Sequence, residues 1–391
     1  MGLLDRLDLP ELRETLRARG LDGWFLYDFH GVNPVAGRVI GHAGMVTRRV
    51  FIMLPAIGEP RAVIHRIDHP IFSDFPGTMD VYTTWEELHH YLGALVHGRR
   101  IAMEVSLENG VPYLDRVPAG AIELLRRLGA TIVPSASLVT QFAARWSERE
   151  LVQHREVAES LAGIARTTVA RTVREVGNAS ELAVQQELIG AIERAGWTLE
   201  DPPIVAFGPH AADPHFAPQA GREDRLGAGQ VVLIDLWARH SPDGMWADQT
   251  WMGFAGSDVP DEMARAWSAV KEARDTVVSS LRDSREGGLT LTGADLDRRA
   301  REVIGRYGLL EACAHRTGHS IDFDLHGSGP HLDDTETHDT RELLPGVGFS
   351  VEPGVYFPRR FGMRSEINVH LASGGPEVTP KEPQQALILA G

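Results

Sequence analysis

One cysteine, Cys313, is all that the chain has in 391 residues, so an intramolecular disulfide framework is excluded and a reducing compartment fits. Cationic side chains are also outnumbered: 39 Lys and Arg stand against 54 Asp and Glu, a formal net charge of −15. That balance offers no basic patch to neutralise phosphates and argues against a nucleic-acid partner. No apolar run approaches the roughly 18 residues of a membrane-crossing helix, so no membrane partner is expected. The opening MGLLDRLDLPELRETL lacks the apolar stretch of a signal peptide and reads as the start of an amphipathic helix. Its Met-Gly start does not make a myristoylation signal, because Arg6 stands where Ser or Thr is wanted. The expected location is cytoplasmic. Cys313 lies six residues before His319, but no nucleophile pattern surrounds it and a packing role is expected.

What is present is an ordinary globular composition, 43% hydrophobic and 24% charged, in a chain long enough for two domains. The first 140 or so residues alternate element types: a helix from Leu9 to Gly20, short apolar strands at GWFLY, FIMLP, AVIH and RIAMEV, and helices near Trp85–Val96 and Gly120–Leu128. This predicts an α/β domain. A long amphipathic helix over about 147–176 follows, opened by a Ser147/Glu150 capping box and stopped at Gly177. The boundary falls near residue 145, giving domains 1–145 and 146–391. Within the second, the order helix, helix, hairpin occurs twice, with helices at about 147–176 and 180–195, then about 259–283 and 293–307, the last opened by Thr292 and Asp295. The halves repeat in pattern, not in residues, and predict an α+β domain with curved antiparallel sheet inside and helices outside.

Along that domain stand five residues with an affinity for metals: Asp235, Asp248, His319, Glu352 and Glu366. The aspartates lie in QVVLIDLWARHSPDGMWADQTWMGF, a hairpin with a polar turn from Ser241 to Gly244. With the turn centred between Ser241 and Pro242, Asp235 and Asp248 are expected to be directly opposed. Opposed residues on one sheet face have Cβ atoms about 4.5–5.5 Å apart, which lets two carboxylates share ions about 3.5–4 Å apart. Aspartates in strands can also be edge-strand solubility devices. Asp235, however, interrupts an apolar strand between Ile234 and Leu236, where a lone buried carboxylate is costly without a cation. Glu352 ends the strand GVGFSVE and Glu366 lies in the returning GMRSEINVHL, a second hairpin. Spacings of 13 and 14 residues allow a pseudo-twofold to bring four acids to one centre. His319, in HRTGHSIDFDLHGSGPH, would supply the imidazole, with His315 and His326 nearby. Four carboxylates and one neutral imidazole suit Mn, Co or Zn rather than a thiolate-type site. The set reads as a two-metal hydrolase.

At these residues the chain resembles the M24 metallopeptidases of pita-bread fold, which include methionine aminopeptidase, aminopeptidase P and prolidase, along with non-peptidase creatinase relatives. IVAFGPHAADPHF is similar to the segment with a substrate-side histidine, here His215; LIDLWA and ADQTW match the aspartate strands; HRTGHSIDFDLH matches the ligand His319 and a later catalytic His326; VEPGVY and GMRSEI match the glutamate strands. YDFHGVNPVAGRVIGHAG and RRVFIMLP resemble the creatinase/prolidase N-terminal domain, which shifts the reading toward Xaa-Pro bonds. The resemblance implies two divalent ions per chain, manganese first and cobalt or zinc as alternatives. It makes Glu352 a proton shuttle as well as a ligand, and gives His215 and His326 contacts to the scissile carbonyl or its oxyanion. His315 and Arg364 would support the ligands. It also implies a homodimer formed through the N-terminal domain.

Three departures matter. The aspartate spacing is two residues longer than the family's common one, and Ser320 with Asp322 or Phe323 alters the stretch after His319. His338 stands where prolidases place a carboxylate-clamping arginine, leaving Arg341, Arg359 and Arg360 as substitutes. The expected activity is hydrolysis of small peptides with proline at the second position, by an Xaa-Pro dipeptidase; the alternative is an Xaa-Pro aminopeptidase acting on longer peptides. A creatinase-like amidinohydrolase or a non-catalytic binding module would not need the five ligand positions, all of which are filled.

Overall fold

Every residue of β1 (Gly23–Asp28) is buried, which only a strand covered on both faces can achieve. The computed structural model describes residues 2–42 and 45–391, and the chain divides into two compact units, Met1–Ala143 and Ala144–Gly391. Met1 of the Met-Gly start and the last two residues of the GHAG motif lie outside the described residues.

In the first unit, α1 (Leu9–Ala18) begins where the Asp8 carboxylate accepts the Glu11 N–H at 2.9 Å. It stops two residues before the expected Gly20, whose left-handed φ of 62° turns the chain toward β1. The remaining elements are α2 (Pro34–Ile40), β2 (Val50–Pro55), β3 (Arg61–His65), β4 (Thr78–Tyr82), α3 (Trp85–Val96), β5 (Arg100–Met103), α4 (Ala119–Arg127), β6 (Thr131–Pro134) and the short α5 (Ala136–Leu138). The six strands form one mixed sheet in the order β4-β3-β2-β1-β5-β6. Trp24, Leu26, Ile52 and Leu54 pack with Leu12, Leu16, Val35 and Val39 of α1 and α2; Phe25, Tyr27, Phe51 and Met53 pack with Leu88, Leu92 and Leu125 of α3 and α4. Helices thus cover both faces, as in α/β folds. Buried Glu104 ties this layer together, accepting from Trp24 Nε1 at 2.6 Å, Asn33 Nδ2 at 2.9 Å and Ser135 Oγ at 3.0 Å.

The second unit contains α6 (Glu148–Thr172), α7 (Glu181–Arg194), β7 (Ile204–Phe207), β8 (Val231–Arg239), β9 (Trp246–Phe254), α8 (Asp261–Glu286), α9 (Gly293–Arg306), β10 (Ser320–Ile321), β11 (Gly348–Val351), β12 (Gly354–Phe357), β13 (Phe361–Arg364), β14 (Ile367–Ala372), β15 (Gly375–Thr379) and β16 (Ile388–Leu389). The capping boxes at Ser147/Glu150 and Thr292/Asp295 both form. α6 ends at Thr172 instead of near 176, because the chain turns away so that Gly177 N–H can bond Leu226 O at 2.8 Å. The sheets run β16-β9-β8-β7 and β10-β11-β14-β15, with β12-β13 a separate ribbon. Val232, Ile234, Leu236 and Ala238 pack against Leu161, Ala165 and Val169 of α6 and Leu188 of α7. The alternate residues Val231 and Leu233 join Val351, Ile367 and Val369 in the core of the other half. Asp235 and Trp237 continue that inner face by the two-residue period of a strand.

The hairpin register corrects the expected opposition of the aspartates. Asp235 pairs with Thr250, and Asp248 pairs with Trp237. The tight turn closes from Ser241 O to Gly244 N–H at 2.8 Å, so its centre lies one residue later than expected and the pairing moves by two. An even shift keeps both carboxylates on one face as diagonal neighbours. The second hairpin is present but broken. Val351 pairs with Ile367 and Gly354 with Arg364 in one common register, which leaves Glu352 and Glu366 opposed in the gap between the ladders. There the Glu352 N–H bonds Thr317 O at 2.7 Å, so the His319 segment enters the gap.

That entry needs glycine at 318, where an added Cβ would sit 2.1 Å from Ser350 O. Gly318→Ala is expected to push His319 off β11, with a loss of about 1–3 kcal/mol typical of overpacking. Thermal denaturation and metal analysis check this; a variant with unchanged Tm and metal content would contradict it.

Candidate metal centre

The two halves meet at Asn368 of β14, whose side-chain amide acts as a strand partner for Asp248. It accepts the Asp248 N–H at 2.9 Å and donates to the Asp248 carbonyl at 2.8 Å. Around this seam all five predicted ligands are buried or nearly so. Ligand atoms of Asp248, His319 and Glu366 all lie within 4.8 Å of one another. His319 Nε2 is 3.4 Å from Asp248 Oδ2 and 3.4 Å from Glu352 Oε1. Its other ring nitrogen faces Ser320 O at 3.1 Å, which fixes the ring and leaves Nε2 toward the acids. Asp235 joins through Thr250 Oγ1, which lies 3.1 Å from Asp235 Oδ1 and 2.7 Å from Glu366 Oε2. Arg364 pairs with Asp235 and donates from Nε to Thr250 Oγ1 at 2.7 Å.

Four carboxylates in a dry space cannot all carry charge at little cost. Burial raises Asp235 against the pull of Arg364, and raises Asp248 to about 6 although its hydrogen bond to His319 opposes this. Glu366 is raised furthest in direction, by burial and then by the charges of Asp248, Glu352 and Asp235. Burial would raise Glu352 too, but His319, His315, Arg364 and Arg316 outweigh it and hold it at about 2. His319 is lifted above its usual range by the Asp248 hydrogen bond and by Glu352, against its burial. Asp248 Oδ1 and Glu366 Oε1 are buried with no hydrogen-bond partner. Acceptor oxygens left without donors, beside an imidazole nitrogen that faces two carboxylates, fit divalent cations in donor type and in charge.

The other predicted residues divide into those at the centre and those away from it. The His326 ring meets His319 edge-on at 4.4 Å; the residue is exposed in part, and the burial of its inner side together with His319 and Arg316 pushes its pKa down to about 3. His215 is exposed, at a rim close enough for its charge to act on His326. His315 bonds Tyr356 OH at 2.7 Å, and that hydroxyl lies 3.5 Å from Arg364 Nη1. His338 is mostly exposed and pairs with Asp334, itself held by Arg298 of α9. Arg341 spends its donors on Asp339 and on the carbonyls of Ser328 and Gly329 at 2.6 Å each. Arg360 pairs with Glu262 on the surface. Burial raises the Cys313 thiol to about 11, which suits the packing role.

Sequence reasoning missed Thr250, Ser350, Asn368 and Tyr356. Thr250 had a signal, two residues beyond Asp248 and so on the same face. Ser350 Oγ accepts the His319 N–H at 2.9 Å and lies 3.0 Å from Glu352 Oε1, also two residues from a ligand. Asp322 accepts the N–H groups of Asp324 and Ser328 at 2.9 Å each, shaping the loop that carries His326.

A centre of this kind between the two sheets of the second unit is that of a metal-dependent hydrolase. Residues 153–373 match the model of metallopeptidase family M24, and the chain belongs to that family. Probable dipeptidase PepE of Mycobacterium tuberculosis is 27% identical over 351 residues, 88% of this chain and 86% of that protein. The Xaa-Pro dipeptidase of Pyrococcus furiosus is 27% identical over 236 residues, 59% of this chain and 63% of that one. Among solved structures, dipeptidase PepE from Mycobacterium ulcerans superposes with a TM-score of 0.79 at 23% identity, covering 100% of both chains. The fold is the pita-bread fold of these peptidases.

In the metal-free protein the shifted groups set a pH dependence. Asp248 and Glu366 have folded pKa values above their unfolded ones near about 4, so their contribution is lost as pH rises from about 4 through about 6 and beyond. His319, also raised, contributes below its unfolded pKa and loses that contribution in the same direction. Glu352 loses its contribution only as pH falls toward about 2. Because the cations compete with those protons, added Mn²⁺ is expected to raise the Tm of chelator-treated protein more at about pH 8 than at about pH 5. An equal rise at the two pH values would contradict these shifts.

Proposed function

We propose that the protein hydrolyses the peptide bond before proline in dipeptides, as a cytoplasmic homodimeric Xaa-Pro dipeptidase. Asp235, Asp248, His319, Glu352 and Glu366 would hold two divalent ions per chain, manganese first and cobalt or zinc as alternatives. The observation that carries the reading is the pair of buried acceptor oxygens, Asp248 Oδ1 and Glu366 Oε1, that lack donors inside the acid cluster. Such ions act as Lewis acids and bring the pKa of a water near neutrality. Glu352, held ionised and braced by Ser350 Oγ, takes the proton released as the water attacks. His326, held neutral, donates a hydrogen bond to the carbonyl oxygen as negative charge develops there. His215 does the same from the rim. His315 and Tyr356 steady Arg364, which in turn fixes Asp235 and Thr250. The names of the relatives support a dipeptidase. The first 145 residues serve as the creatinase-like domain through which the dimer forms.

A second reading, Xaa-Pro aminopeptidase activity on longer peptides, is favoured by one observation. Three of the four residues proposed to clamp a dipeptide's carboxylate have other partners: His338 holds Asp334, Arg341 holds Asp339 and Arg360 holds Glu262. Rates on Ala-Pro and on Gly-Pro-Xaa peptides separate the readings, and creatine tests the amidinohydrolase. His338→Ala is expected to leave the ratio of dipeptide to tripeptide rates unchanged.

Asp248→Asn is expected to lose at least one metal per chain and nearly all activity while remaining folded, measured by elemental analysis and hydrolysis of Ala-Pro. Full metal occupancy with normal rates would sink the dinuclear assignment. His326→Ala should keep its metal and lose a factor of about 10²–10³ in rate, as for removal of an oxyanion donor. Departure of the metal would instead make His326 a ligand.

A further inference from the structure

Trp237 stands directly across the ladder from Asp248, on the inner face that carries both aspartates. The outer face of the same strand is consumed by helix packing, since Leu236 and Ala238 lie beneath α6 and α7. On its own face Trp237, only partly buried, packs with Phe323 and Leu325 against a small cluster of Trp146, Leu151 in the first turn of α6, Met245, Trp246 and Ile321. Phe323 and Leu325 are likewise only partly buried. Three large apolar side chains therefore keep accessible surface beside a buried acid cluster.

The wall they form is rigid. Phe323 O accepts from Arg239 Nη1 at 3.1 Å and from Trp246 Nε1 at 3.0 Å, and the Arg239 guanidinium lies over the Trp246 ring at 4.6 Å. Asp322 fastens the loop at Asp324 N and Ser328 N. The same short loop carries His326, whose ring meets that of His319. One fixed segment thus supplies both a polar group at the acid cluster and an apolar surface next to it, the usual division of labour in a small-molecule site.

We propose that Trp237, with Phe323 and Leu325, forms an apolar subsite that selects peptides by the side chain adjoining the scissile bond. The inference rests on the peptidase reading above. Its ligand chemistry is a compact apolar group, either the first residue's side chain or the proline ring, packed against the indole. Loss of such a contact in an apolar pocket changes discrimination by a factor of about 10–200.

The test compares wild type, Trp237→Ala and Trp237→Phe on Leu-Pro, Gly-Pro, Leu-Ala and Gly-Ala, with metal content and Tm measured on each. Trp237→Ala should lower kcat/KM for Leu-Pro about tenfold or more, mainly through KM, with metal content kept, and Trp237→Phe should restore most of it. A loss greater for Leu-Pro than for Gly-Pro assigns the first residue to the subsite; a loss greater for Leu-Pro than for Leu-Ala assigns the proline. Unchanged values on all four peptides, or an equal loss on all four, overturns the subsite. Calorimetric titration of the metal-loaded proteins with leucine, proline and glycine reads binding without turnover. A wild type that cleaves none of the peptides, yet binds leucine or proline more tightly than Trp237→Ala does, sinks the peptidase reading and keeps the subsite. A wild type that does neither overturns both.

Discussion

Asp235, Asp248, Glu352 and Glu366 are buried together, and their mutual repulsion in a poorly screened space is the constraint that the second unit is built around. Arg364 answers Asp235, His319 answers Asp248 and Glu352, and Thr250 bridges Asp235 to Glu366. These partners compensate only part of the charge, so two acids sit well above their ordinary pKa and two oxygens lack donors. Such an arrangement is costly for a metal-free protein and persists only where the surrounding packing holds it in place.

The packing that holds it comes from the repeat. Each half donates a hairpin, each hairpin is covered on its outer side by helices, and the seam is closed by Asn368 bonding the Asp248 backbone as a strand would. The break between the β11–β14 and β12–β13 ladders then has a purpose. It lets the segment through Thr317 and Gly318 enter and present His319 where Glu352 and Glu366 face each other.

Much of this was legible in the residues themselves. Buried strands announce themselves as apolar runs, and helix starts as Ser147/Glu150 and Thr292/Asp295, because those signals are local. β4 and β6 escaped notice because they are edge strands, largely half-exposed, with no apolar run to mark them. The pairing of Asp235 with Thr250 rather than Asp248 turned on a one-residue difference in where a six-residue loop tightens, which spacing alone does not fix. The fate of His338 and Arg341 was hidden for another reason: Asp334 and Asp339, which bind them, matter through tertiary contacts with α9 and the Ser328–Gly329 loop. Acid positions were readable because their chemistry is unusual in a strand, whereas the neutral residues that orient them, Thr250 and Asn368, resemble any strand residue.

In the proposed function, the acid cluster is neutralised by two cations that displace protons. Titration calorimetry of the metal-free protein with Mn²⁺ near about pH 6, repeated in buffers of different ionisation enthalpy, measures both ions bound and protons released. Saturation at two ions per chain with net proton release is expected, because burial and neighbouring charges favour the protonated forms of Asp248, Glu366 and His319. Binding of a single ion, or binding with no protons released, would contradict it.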